Sequence, residues 1–93
     1  MSVQAYILVD CASGKPFQIV RALRELTGVE TVHAVSGAYD VIAFVRIESL
    51  AALRDLLTHR IQLLPGVVRT TTNVVVEHSP ARRSTGSPPG QRA

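Results

Sequence analysis

The run Val41-Ile42-Ala43-Phe44-Val45-Arg46-Ile47 is apolar on both sides of an extended strand, with Val41, Ala43, Val45 and Ile47 on one face and Ile42 and Phe44 on the other. Such a strand belongs inside a sheet, with a partner on each edge and cover on each face. A chain of 93 residues holds one domain, so the partners must come from the same short sequence.

They are readily found. From Val3 to Cys11, residues Val3, Ala5, Ile7, Val9 and Cys11 alternate with Gln4, Tyr6, Leu8 and Asp10, the period of a strand whose second face is made partly apolar by Tyr6 and Leu8. Ser13-Gly14-Lys15-Pro16 supplies a capping residue and a proline suited to a first helical turn. Phe17, Val20, Leu23 and Leu26, with Ile19 beside them, then recur at helical spacing, and Gly28 is placed to stop the helix. Val29 to Val35 reads as a second strand, closed by Ser36-Gly37-Ala38.

After Val41 to Ile47, Ser49 caps a second helix whose buried stripe is expected from Leu50, Leu53, Leu56, Leu57, Ile61 and Leu64, ending at Pro65-Gly66. The fourth strand is expected over Val67 to Glu77, β-branched at both ends and polar in the middle at Arg69-Thr70-Thr71-Thr72-Asn73. Past His78 the chain turns to Ser, Pro, Gly and Arg. The expected division is therefore a folded domain over 1–78 and a disordered tail over 79–93.

The order β-α-β-β-α-β predicts an α+β domain of the ferredoxin-like type, a four-stranded antiparallel sheet with the first and third strands central and both helices on one face. Two helices cover one face only. The other, carrying Tyr6, Leu8, Ile42 and Phe44, needs a second cover, and a second copy related by a two-fold axis is expected to provide it, giving a homodimer of the dimeric α/β-barrel kind.

The formal charge of +3 and pI near 9.8 invite a nucleic-acid reading. The excess sits in the tail, at Arg82, Arg83 and Arg92, whereas residues 1–77 hold seven basic and seven acidic side chains. A neutral body offers no clustered footprint for phosphates, and no helix-turn-helix segment fits beside the other elements, so direct DNA binding is not expected. One cysteine, Cys11, argues for a reducing compartment. Neither a signal peptide nor a membrane span is readable at the start of the chain, and the expected location is cytoplasmic.

The run Val32-His33-Ala34-Val35-Ser36-Gly37-Ala38-Tyr39-Asp40-Val41 resembles the Gly-x-Tyr-Asp hairpin of the Lrp/AsnC ("feast/famine") transcriptional regulators. The likeness extends over residues 3–77 through the small-residue turn with Gly14-Lys15, the Leu-Pro-Gly-Val of Leu64 to Val67 and the Thr-rich last strand. Full-length members place a helix-turn-helix domain ahead of this one, so the chain resembles a stand-alone sensing domain. The resemblance implies dimers through the sheet face, rings commonly of four dimers, and small effectors, typically amino acids, held between dimers near the hairpin and the last strand. It also makes full-length regulators of the family an expected partner, with transcription modulated indirectly.

Ser36, Gly37, Ala38, Tyr39 and Asp40 form the leading candidate site. Gly37 permits a positive φ and exposes backbone N–H groups to a carboxylate, while Asp40 can accept from an α-ammonium group. The plainer alternative is that Gly37 only makes the turn and Asp40 only holds the hairpin's own amides. Thr70 and Thr72 share one face of the last strand and Thr71 lies on the other, each with a hydroxyl to offer. The resemblance assigns one of these faces to the ligand, against the alternative of simple β-propensity. Tyr39 either gates the ligand or packs its ring at the dimer edge.

His33 and His59 are not spaced as ligands with any Cys or acid cluster, and no metal or cofactor is expected. Cys11 reads as a small core residue, with no histidine expected beside it to make it a nucleophile. Two alternatives stay open. One is a small dimeric α+β-barrel enzyme of the monooxygenase or isomerase type, which the Val, Ile, Leu and Ala at inward positions disfavour. The other is a non-sensing subunit that co-assembles with full-length regulators.

Overall fold

A computed structural model describes residues 2–12, 16–77 and 79. The Ser13-Gly14-Lys15 turn and the tail read from sequence lie outside these residues, apart from Ser79. The elements are strand β1 (Val3–Cys11), helix α1 (Pro16–Arg24), β2 (Val29–Ala34), β3 (Val41–Ile47), α2 (Leu50–Leu56) continuing into a π-helical turn (Leu57–Ile61), and β4 (Val67–Val74). They make one antiparallel sheet in the order β2-β3-β1-β4, with β1 and β3 central, which is the ferredoxin-like arrangement expected.

The register sorts the side chains. Ala5, Ile7 and Val9 of β1 lie opposite Val45, Ala43 and Val41 of β3, and all six are fully buried on the side facing the helices. Ile19 and Leu23 of α1, Leu53 and Leu56 of α2, and Ile61 complete a core that contains no polar residue among those described. Full burial of a side chain such as Ile7 stabilises the fold by about 1.5–3 kcal/mol relative to exposure. Ser49, in extended conformation, caps α2 by accepting from the Ala52 amide at 3.0 Å.

Beyond Leu56 the ladder widens. The Gln62 amide reaches back five residues to the Leu57 carbonyl at 2.9 Å, and this wider turn carries Ile61 into the core where Arg60 stays outside. Two residues of the expected apolar stripes do not pack. Phe17, in the first turn of α1, is 71% exposed, and Leu50, in the first turn of α2, is 55% exposed. Each lies near the start of its helix, where burial against the sheet begins with Ile19 in α1 and with Leu53 in α2. Strand β4 stops at Val74, short of the expected Glu77, although the Val75 amide still donates to the Gln4 carbonyl.

The opposite sheet face is apolar and bare in one copy. Tyr6 and Phe44 face each other across β1 and β3 with ring centroids 4.9 Å apart at 49°, flanked by Leu8 and Ile42. Tyr6 is 47% exposed although it stands on a central strand. Among the described residues no helix is long and apolar enough to cross a membrane.

Candidate functional site

The turn between β2 and β3 is closed by the Val35 amide donating to the Asp40 carbonyl at 2.9 Å, which leaves residues 36–39 as the loop. Gly37 has φ of +144°, a conformation that L side chains rarely adopt, and an added Cβ there would meet nothing within 4 Å. The glycine is required by the backbone angle and not by crowding. Ser36, Gly37 and Ala38 are exposed, while Tyr39 and Asp40 are half-buried.

Asp40 is tied to the neighbouring strand. Its amide donates to the Val9 carbonyl at 3.0 Å, and its Oδ2 accepts from the Cys11 amide at 2.8 Å, across the irregularity between Asp10 and Cys11. The carboxylate thus caps an amide of β1, not an amide of its own hairpin, and Oδ1 accepts from no described residue. Burial, then the Asp40 charge, then the Asp10 charge push the Cys11 thiol above its ordinary value, so the half-buried Cys11 is kept protonated and packs beside the core.

The threonines divide as their alternation requires. Thr70 and Thr72 pair with Val9 and Ile7 on the helix side, and Thr71 pairs with Leu8 on the open side. The Thr70 hydroxyl accepts from Gln62 Nε2 at 3.3 Å. The hairpin and the threonines are not neighbours, because β1 separates β3 from β4. Two residues absent from the sequence-based site join them. Asp10 of β1, beside Asp40, accepts from Arg69 of β4 through Nε at 3.0 Å and Nη2 at 2.7 Å, both on Oδ2. The partners are 59 positions apart, and only the strand register joins them. The alternation in β1 that puts Asp10 on the Tyr6 face was the one local signal.

A second region competes with this one. A cleft of about 450 Å³ opens at the other end of the sheet between the end of α1 and α2, with Leu26, Ile47 and Leu56 in its wall and Glu25, Glu48 and Arg60 among its charges. Its charged residues are all exposed, so it converges no buried polar group on a ligand. The hairpin end combines a special backbone angle with half-buried carboxylates and is the stronger site. No group of three or more His, Cys, Asp or Glu able to hold a metal ion occurs among the described residues. His59 Nδ1 is hydrogen-bonded to Asp55 at 2.8 Å instead.

The model of the Lrp/AsnC ligand binding domain matches residues 4–84. The chain belongs to the Lrp/AsnC family. It is 37% identical over 60 residues to the leucine-responsive regulatory protein of Escherichia coli (strain K12), an alignment covering 64% of this chain and 37% of that relative's length. The solved structure of TTHA0845 from Thermus thermophilus is 32% identical with a TM-score of 0.80, covering 85% of this chain and 99% of the other. E. coli AsnC, at 23% identity and a TM-score of 0.81, shares the fold over 87% of this chain and 55% of its own. The Lrp/AsnC domain described here therefore matches the ligand-binding part of longer regulators and nearly the whole of at least one shorter relative.

Proposed function

We propose that this Lrp/AsnC domain is a homo-oligomeric amino-acid sensor that acts on transcription through its assembly state or through another protein. The observation that carries the reading is the exposed turn at Gly37 beside Asp40, whose Oδ2 is held by the Cys11 amide while Oδ1 remains available for an ammonium group. A relative named for its response to leucine supports an amino-acid effector. Of the threonines, Thr71 stands on the open face and fits the ligand side better than Thr70, whose hydroxyl is occupied by Gln62.

The bare face of Tyr6, Leu8, Ile42 and Phe44 supports a dimer with sheets face to face, and rings of such dimers as the next level of assembly. A cytoplasmic regulator without catalysis fits the regulatory names of its relatives. Mixed assembly with full-length regulators would use the same face.

Calorimetric titration with the common amino acids tests the sensor. Binding at about millimolar Kd or tighter, lost in Asp40→Ala, is the expected result. No binding by any of them removes the reading. Sedimentation at micromolar concentration tests the dimer, and a monomer there contradicts it.

A further inference from the structure

Asp40 offers a sensor one carboxylate, but an amino acid carries both an ammonium and a carboxylate group. On the foundation of the sensor reading, we propose that Asp10 and Arg69 complete the site: the ligand's α-ammonium sits between Asp10 and Asp40, and its carboxylate lies against the edge of the Arg69 guanidinium that Asp10 leaves free.

The strand register brings the three residues together. Val9 pairs with Val41, which sets Asp10 beside Asp40 on adjacent central strands, and Asp10 pairs with Arg69 on the next. Adjacent strands lie about 4.8 Å apart, so the row spans roughly 10 Å across one end of the sheet. The polar ends of an α-amino acid, with a hydrogen bond of about 2.8 Å at each side, span roughly 8 Å. The ligand fits the row lengthwise.

The charges call for a zwitterion placed this way round. Asp10 is paired with Arg69, and Asp40 beside it has no cation among the described residues, which leaves one negative charge uncompensated on the row. Both Arg69 hydrogen bonds fall on Asp10 Oδ2, and the Cys11 amide takes Asp40 Oδ2. Among the described residues the two Oδ1 atoms accept nothing, and an ammonium group has three donors to share between them. On the cationic side, Arg69 is 72% exposed and its Nη1 has no described partner. Its guanidinium stands open to solvent, so Arg69 can share its remaining donors with a ligand while keeping Asp10.

Such a site selects free α-amino acids over molecules blocked at either end. The test uses the full chain in calorimetric titrations with L-leucine, L-leucinamide and N-acetyl-L-leucine, and with the matching sets for L-methionine and L-asparagine. The native chain is expected to bind at least one free amino acid about ten- to a hundredfold tighter than its amide or its N-acetyl derivative, the range set by one charged hydrogen-bonded contact. Arg69→Gln is expected to weaken the free amino acid by a similar factor and to erase the preference over the amide. Asp10→Asn is expected to erase the preference over the N-acetyl form. The exchanged pair Asp10→Arg with Arg69→Asp restores the ion pair in reverse; it should retain the native circular dichroism and melting temperature while losing binding.

If the native chain binds an amino acid and these variants keep both its affinity and its selectivity, Asp10 and Arg69 are not part of the site and the sensor reading stands. If the native chain binds none of the amino acids, the sensor reading and this inference fall together.

Discussion

The two ends of the sheet carry similar parts in different electrostatic states. Where β3 finishes, Arg46 pairs with Glu30 at 2.7 Å, and the Gln4 amide, turned with its oxygen inward, accepts from the same guanidinium at 2.8 and 3.1 Å. One cation meets one anion, and both are close to half exposed. At the hairpin end Arg69 pairs with Asp10, which keeps only 17% of its side-chain surface, while Asp40 beside it has no cation among the described residues. The ion pair therefore does not mark the site. What distinguishes the hairpin end is a surplus carboxylate held in place by a backbone amide.

The turns at the two ends differ in a way that stability measurements will expose most strongly. Gly28, leading into β2 at the cleft end, has φ of +96°, and an added Cβ would stand 2.3 Å from the Ile47 Cδ1 and 3.3 Å from the Arg46 carbonyl. Gly28→Ala combines backbone strain with displacement of the Ile47 methyl, and is expected to cost about 2–3 kcal/mol in urea unfolding. Gly37→Ala, strained but opening into free space, should cost about 1–2 kcal/mol. A larger loss at Gly37 than at Gly28 would mean that the hairpin is packed against something in solution, most directly a second copy.

Asp40 comes next in magnitude. Asp40→Ala leaves the Cys11 amide without its acceptor and should destabilise by about 1–2 kcal/mol, whereas Asp40→Asn keeps an oxygen at that position and should lose less than half as much. The Asn variant separates the two duties of the residue. It should remain folded and still fail to hold an ammonium group, as titration against the binding amino acid will show.

The sequence displays its elements and hides their registers. Strands with period-two alternation, the Ser49 cap and the glycine turns are local patterns, and each was readable from a few neighbouring residues. Even the central place of Val41–Ile47 follows from its two apolar faces. Asp10 and Arg69 were missed because a pairing 59 positions apart depends on which strands meet and in what phase. Phe17 and Leu50 were misplaced because helical periodicity assigns a face to every residue but does not say at which residue packing on the sheet begins. The π-helical turn that places Ile61 is likewise a response to packing, with no signal in the apolar spacing that an ordinary helix would not share.

The two ion pairs sharpen the comparison with smaller effects. Hydrogen bonding to the carboxylate partner, followed by its charge, raises the guanidinium pKa of both Arg46 and Arg69. Arg46→Ala should leave the melting temperature nearly unchanged, since Glu30 simply returns to water. Arg69→Ala should lower it measurably, because Asp10 then stands half-buried beside Asp40 without a cation, and the difference should shrink on adding about 1 M salt. Equal shifts for the two variants would remove the contrast between the ends.

The smallest effect is read at Cys11. Burial raises its thiol pKa first, then Asp40, then Asp10, so at about pH 8 it holds less thiolate than a free cysteine and should react slowly with iodoacetamide. Removing a negative neighbour lowers that pKa, and Asp40→Asn should speed alkylation measurably. Asp10→Asn should do the same more weakly, and Glu30→Gln at the far end should do nothing. The same shift fixes a sign for stability. A thiol with its folded value raised contributes stability that is fully present below the unfolded value and is lost as pH rises through the folded one, so the native chain should weaken on the alkaline side. Cys11→Ser removes that alkaline step and leaves the neutral region in place. Should Asp10→Asn and Asp40→Asn leave the alkylation rate unchanged, the two carboxylates do not converge on Cys11, and the electrostatic contrast between the two ends of the sheet loses its most local support.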